Sequence, residues 1–148
     1  MARLVLASAS PRRKELIKLI SDNVICVPSG VDEIIPDGIA VSEIPLCLAY
    51  QKAEEVAAKY PDDLVLGCDT GVILDSEILG KPLDKEDARR MIKSLSGRSH
   101  QVITGCSLWY KGNEHGFSSI TEVEFYPLSD EEIEEYINSD EPYDKAGS

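Results

Sequence analysis

The sequence predicts an α/β protein built on a mixed, strongly twisted sheet flanked by helices. Three observations lead there. Short apolar runs that read as buried strands alternate with amphipathic helical segments early in the chain. Two long alternating segments then meet at Lys111-Gly112-Asn113, the pattern of an antiparallel pair added to a partly parallel sheet. The 148 residues suffice for one domain with a sizeable core, burying about 68–70% of the surface that the unfolded chain exposes. No repeat or low-complexity linker divides it.

In chain order, Arg3–Ala7 reads as a buried strand, followed by a helix from Pro11 to about Ile20. Leu16, Ile17, Leu19 and Ile20 supply its apolar stripe, Ser10 its N-cap and Pro11 its first position. Val24–Pro28 is a second strand. Residues 29–41 carry Gly30, Pro36, Asp37 and Gly38 and read as a loop; Ser42 then caps a helix to about Tyr60, broken by Pro61-Asp62-Asp63. Leu64–Cys68 is an apolar strand ending at Asp69-Thr70-Gly71, and Val72–Leu74 with Glu77–Leu79 forms a hairpin around Asp75-Ser76. Asp84 caps a helix whose inner face is Ala88, Met91, Ile92 and Leu95, closed by Gly97. The long strands span His100–Tyr110 and about Glu114–Tyr126. Ser129-Asp130-Glu131-Glu132 is a capping box opening an acidic helix to about Asn138.

A net charge of −12 excludes nonspecific binding to nucleic-acid polymers or anionic membranes, which need a basic field. No apolar run approaches the ~20 residues that span a bilayer, and no secretory signal pattern opens the chain, so a cytoplasmic protein is expected. Cys26, Cys47, Cys68 and Cys106 show neither metal-knuckle spacing nor a redox pair, and are expected to be buried free thiols.

The basic residues cluster. In Ser8-Ala9-Ser10-Pro11-Arg12-Arg13 a strand runs through a small-residue turn into a helix start, where free amides, hydroxyls and two guanidinium groups can converge on a phosphate chain. The alternative is a surface helix with solvated cations. An acidic protein that takes a polyanion must do so in a local positive pocket, which suits a small ligand. Asp69 ends a predicted buried strand, where ligands of open α/β sheets bind; the alternative is an Asp capping the next turn. Gly80-Lys81-Pro82 presents Lys81 from a rigid turn. Lys52, in mid-helix beside Gln51, either snorkels to solvent or points into a cleft.

Taken together and in this order, several segments resemble the Maf family of nucleoside triphosphate pyrophosphatases. They are Leu6-Ala7-Ser8-Ala9-Ser10-Pro11-Arg12-Arg13, Gln51-Lys52-Ala53, Gly67-Cys68-Asp69-Thr70, Leu79-Gly80-Lys81-Pro82, the run from Leu95 to Gly105, and Glu141-Pro142-Tyr143-Asp144-Lys145-Ala146-Gly147-Ser148. The resemblance implies a sheet with a cleft between two lobes and hydrolysis between the α and β phosphates to a monophosphate and pyrophosphate. By position, Asp69 would accept the proton of the attacking water. Ser8, Arg12, Arg13, Lys52 and Lys81 would hold the phosphates. Glu33, where the family places another active-site acid, would either join Asp69 at the divalent ion or position the water; that ion would be Mg²⁺ or Mn²⁺, the metals suited to carboxylate and phosphate oxygens. An unperturbed Asp, with a pKa of about 3.9, is a poor base for free water, so Asp69 makes most sense beside a metal.

Within the family, Asp69-Thr70 and Asp144-Lys145-Ala146-Gly147 follow the branch acting on dTTP and UTP, with Arg12 and Thr70 as selectivity positions. Gly71 stands where an apolar residue is more usual. The resemblance also implies a homodimer and, in family members, a further C-terminal portion beyond Ala-Gly-Ser. Two other readings remain open: the same chemistry on modified purine triphosphates, and a nucleotide-binding regulator of septum formation without turnover.

Overall fold

A computed structural model describes residues 3–148. Its strands are β1 (Leu4–Leu6), β2 (Val24–Cys26), β3 (Leu64–Leu74), β4 (Glu77–Leu79), β5 (Ser99–Tyr110) and β6 (Asn113–Glu124). Its helices are α1 (Pro11–Ile17), α2 (Ile44–Ala57), α3 (Lys85–Leu95) and α4 (Asp130–Ile137), with 3₁₀ turns at Val41–Glu43 and Pro142–Asp144. The sheet order is β2-β1-β3-β5-β6, with β4 on β3. It is mixed, as expected: β1 runs parallel to β2 and to β3, while the far half of β3 pairs antiparallel with β4.

The chain folds as two compact units, the first holding residues up to Asp69 with Thr104–Ser119, the second Thr70–Ile103 with Ile120–Ser148. In the first, Val5, Ala7, Ala53, Val56 and Val65 form the core. Helix α2 lies against the sheet at two glycines. A Cβ added to Gly67 would meet the carbonyl oxygen of Ala49 at 2.5 Å and the nitrogen of Ala53 at 2.9 Å, and one added to Gly105 would run into the backbone of Pro45 and Leu46. The small, fully buried Ala49 and Ala53 complete this contact.

The second unit has two apolar clusters. Val72, Leu74 and Leu79 pack with Met91 and Leu95, while Ala88 and Ile92 on α3 meet Ile133 and Ile137 on α4. Asp84 caps α3 by accepting from the Asp87 N–H at 2.8 Å, and Ser129 and Glu132 form the reciprocal capping box of α4. The hairpin turns place Asp75, Ser76, Lys111 and Gly112 at positive φ, as tight two-residue connections require. His100 is buried with its ring edge on Phe125 at 5.0 Å, and desolvation holds it below the usual histidine range.

Four expectations need correction. Helix α1 ends at Ile17 after about two turns, and of the expected stripe only Ile17 is buried; Leu16 is exposed on the helix, and Leu19 and Ile20 are exposed in the turn at 18–20 that follows it. Ser42 does not cap α2, because a 3₁₀ turn precedes it and the N-cap is Glu43, without a side-chain bond. The same helix stops at Ala57, with Tyr60 in the turn that follows. Strand β3 runs unbroken from Leu64 to Leu74, so Asp69 lies in mid-strand. Its parallel register with β1 nevertheless stops at Leu66, and Asp69 follows the carboxyl end of that parallel segment.

The close approach at Gly67 predicts that Gly67→Ala loses about 1–3 kcal/mol in urea unfolding, because backbone must move. Gly80→Ala, whose added Cβ meets nothing within 4 Å, should stay within about 0.5 kcal/mol of the parent. Equal stabilities for the two variants would contradict this packing.

Candidate active site

The site of the first unit begins where β1 ends. Ser8 is buried, and its hydroxyl accepts from the Ser10 N–H at 3.1 Å and from Arg13 Nη1 at 3.5 Å. Ser10 caps α1 as expected, accepting from the Arg13 N–H at 3.4 Å, with Pro11 at the first helical position. Arg13 Nη1 also donates to the Cys68 carbonyl at 3.2 Å, which ties the corner after β1 to the residue before Asp69. Arg12 lies exposed on the same first turn.

Lys52 comes in from α2. Helical spacing puts it four residues after buried Leu48 and four before buried Val56, on the inward side of the helix. It does not snorkel to solvent. Its ammonium donates to Asp69 Oδ1 at 2.8 Å and lies 3.3 Å from Glu33 Oε1. The Lys52 and Asp69 side chains are only 19% and 18% exposed, while Glu33 keeps 42%. Burial raises the Asp69 carboxyl above the ordinary aspartate range; the Lys52 bond and charge oppose that rise and the Glu33 carboxylate adds to it. Desolvation therefore outweighs the ammonium, which makes the Asp69 carboxylate a stronger base than an exposed aspartate.

Glu33 sits in an irregular segment and is held there by residues that sequence reasoning missed. Gln51 accepts from the Ile34 N–H at 2.8 Å and donates Nε2–H to the Ile34 carbonyl at 2.6 Å, a two-bond clamp on the neighbour of Glu33. One helical turn on, Glu55 accepts from Ser29 Oγ at 3.0 Å and from the Gly30 N–H at 3.4 Å. The signal was the i, i+4 spacing of two polar residues on a helix, which reads as a solvated face until the loop is seen against it.

The thiols also differ from expectation. Cys68 is buried, Cys26, Cys47 and Cys106 are half-buried, and all are free. Cys68 and Cys106, 38 residues apart, bring their sulfurs to 3.5 Å. The contact and burial push the Cys68 thiol up, while the same contact, aided by Arg13, holds Cys106 down at about 7.

Ser8, Arg13, Lys52, Asp69 and Glu33 are thus gathered in the first unit. Thr70, next along β3, and Lys81, exposed on the turn after β4, belong to the second unit, and their assignment rests on the resemblance. Among the described residues, no group of three or more His, Cys, Asp or Glu side chains could by itself hold a metal ion. Glu33 and Asp69 do converge on one cationic point, the Lys52 ammonium, and their oxygens are hard donors. That pair suits Mg²⁺ or Mn²⁺, which commonly takes one or two carboxylates and completes its coordination with phosphate and water oxygens.

Residues 3–148 match the family described as Maf-like protein. The chain belongs to the Maf family. A dTTP/UTP pyrophosphatase from Bacillus velezensis is 47% identical over 146 residues, covering 99% of this chain and 77% of that protein. A protein of the same name from Halalkalibacterium halodurans is 43% identical over 148 residues, covering 100% and 78%. In structure, the chain resembles a HAM1 protein from Coxiella burnetii and the Staphylococcus aureus Ham1 protein, each with a TM-score of 0.58, at 20% and 16% identity. These cover 84% and 82% of this chain and 73% and 71% of the solved chains, and they bear out the mixed α/β fold. No helix among the described residues is long and apolar enough to cross a membrane.

Removing the Lys52 charge should drive the Asp69 carboxyl further upward, since burial would then act unopposed. A carboxyl-carbon NMR titration of Lys52→Met should show the Asp69 midpoint above that of the parent, and a midpoint moved down would refute the pairing.

Proposed function

We propose that this Maf-family chain hydrolyses nucleoside triphosphates, dTTP and UTP in particular, to the monophosphate and pyrophosphate, and so clears the free nucleotide pool of the cytoplasm. The observation that carries the mechanism is the half-buried Asp69, paired with Lys52 and set beside the Ser8–Arg13 corner. The reaction demands charge neutralisation and a positioned water more than covalent help.

Arg13 is already oriented by the Ser8 hydroxyl and the Cys68 carbonyl, so its guanidinium meets phosphate oxygens at little ordering cost. Arg12, on the same turn, supplies a second guanidinium. The Ser8 hydroxyl accepts from protein donors and keeps its own proton for a phosphate oxygen. Lys52 carries three N–H donors, of which Asp69 accepts one and Glu33 lies 3.3 Å away as an ion pair, so the ammonium keeps donors for the ligand. Asp69 takes the proton from the water that attacks phosphorus, its burial having raised its basicity. Glu33 and Asp69 would hold Mg²⁺ or Mn²⁺, which when bound supplies positive charge to the triphosphate. Asp69-Thr70 and Asp144-Lys145-Ala146-Gly147 support the choice of a pyrimidine base through their likeness to that branch of the family.

Pyrophosphate release measured over dTTP, UTP, 7-methyl-GTP and deaminated purine triphosphates, with Mg²⁺ or Mn²⁺ present, tests this reading. Turnover should favour dTTP and UTP. A preference for the modified purines would reassign the substrate, and binding without release would indicate the regulator. Asp69→Asn should lower turnover by about 10²–10⁴-fold while nucleotide affinity survives; unchanged turnover removes Asp69 from the chemistry. Arg13→Ala should chiefly weaken binding, and an affinity equal to the parent's would contradict its phosphate role.

A further inference from the structure

We propose that Cys68 and Cys106 form an oxidation site, at which a hydroperoxide converts two thiols into an intramolecular disulfide joining β3 to β5. The pair lies in the first unit on neighbouring strands, with its sulfurs 3.5 Å apart before any bond exists. Bond formation therefore asks for a side-chain adjustment, with no segment to unfold. Access has a direction, since Cys68 is buried while Cys106 is half-buried. The other thiols are differently placed. Cys26 is on β2, separated from β3 in the sheet by β1, and Cys47 is on α2, where Gln51 Nε2 lies 3.4 Å from its sulfur.

The chemistry balances without any group from the protein beyond the two thiols. Cys106 Sγ attacks one oxygen of the peroxide, the O–O bond breaks, and an alcohol (water, from hydrogen peroxide) leaves with the thiol proton. Cys106 is then a sulfenic acid. Cys68 Sγ attacks that sulfur, the S–O bond breaks, and water leaves with the Cys68 proton as the S–S bond forms. Two thiols are oxidised by two electrons, and one peroxide is reduced to an alcohol and water.

The bond would act on the site through Cys68, which is joined covalently to Asp69 and whose carbonyl accepts from Arg13. Drawing its sulfur toward β5 puts tension on the residue that aims both groups, so oxidation should slow turnover, reversibly. That consequence, unlike the bond itself, rests on the pyrophosphatase reading.

The test treats the reduced full chain with hydrogen peroxide, alkylates remaining thiols and maps tryptic peptides. Arg89, Arg90 and Arg98 put the two cysteines on different peptides. The expected result is a linked Cys68–Cys106 peptide, with Cys26 and Cys47 still alkylated and the link lost on dithiothreitol treatment. Absence of that peptide, or linkage of either sulfur elsewhere, overturns the proposal whether or not the protein shows activity. In parallel, oxidised protein should turn over nucleotide about tenfold more slowly, with recovery in dithiothreitol. Cys106→Ser, checked for folding by circular dichroism, should lose both the bridge and the reversible change. A linked peptide with unaltered turnover in an active protein overturns the coupling to Asp69. A linked peptide in a protein that never hydrolyses nucleotide overturns the pyrophosphatase reading and leaves the oxidation site standing.

Discussion

The distance between helix α2 and the sheet is the constraint on which the site depends. Lys52 reaches Asp69 at 2.8 Å because the helix backbone sits nearly on β3 and β5, and it sits there because Gly67 and Gly105 have no side chains to hold it off. Ala49 and Ala53 answer them from the helix side. The Gln51 and Glu55 clamps, built on side chains shorter than lysine's, depend on that closeness still more. Both come from α2 and both grip the segment that carries Glu33. One backbone contact thus sets the ammonium, one carboxylate directly and the other carboxylate through the loop.

Electrostatics then works on what packing has set. Asp69 is removed from water far enough that its neutral form gains, and the nearby ammonium recovers part but not all of the loss. A fully exposed aspartate would be a weaker base, and one buried without Lys52 would be raised further. Arg13 contributes from the other side through the carbonyl of Cys68, which joins the helix-start corner to the strand that bears Asp69.

What was legible in the sequence was local. Ser10 with Pro11, Asp84, and Ser129 with Glu132 bond within three residues of themselves, so their meaning survives without tertiary context. The turns at Asp75-Ser76 and Lys111-Gly112 are equally self-contained. The failures share a cause of the opposite kind. Apolar Leu19 and Ile20 looked inward only if α1 continued, and its stop is not written in a breaker residue. Gly71 and Asp69-Thr70 looked like a turn, yet β3 runs straight through them, between the register with β1 that ends at Leu66 and the register with β4 that begins at Val72. Gln51, Glu55 and the Cys68–Cys106 pair act across 17 to 38 positions, and no periodicity reports a contact at that range. The assignment of the site residues came through the resemblance, since Glu33 in Val31-Asp32-Glu33 carries no local mark of the role proposed for it.

Charge counting explains why the proposed ligand would need help on arrival. Glu33 and Asp69 bring two negative charges, and Lys52 and Arg13 bring two positive ones, so the described cluster is formally balanced before a nucleotide comes near. A triphosphate enters with its charge uncompensated by this set, in a protein whose net charge of −12 offers no favourable long-range field. Attraction must therefore be local. Arg12, exposed beside Arg13, is one source, and a divalent ion travelling on the phosphates would be the other under the proposed reading. The same balance accounts for Lys52 lying between two carboxylates. In a chain this acidic, the ammonium offsets the repulsion between Glu33 and Asp69.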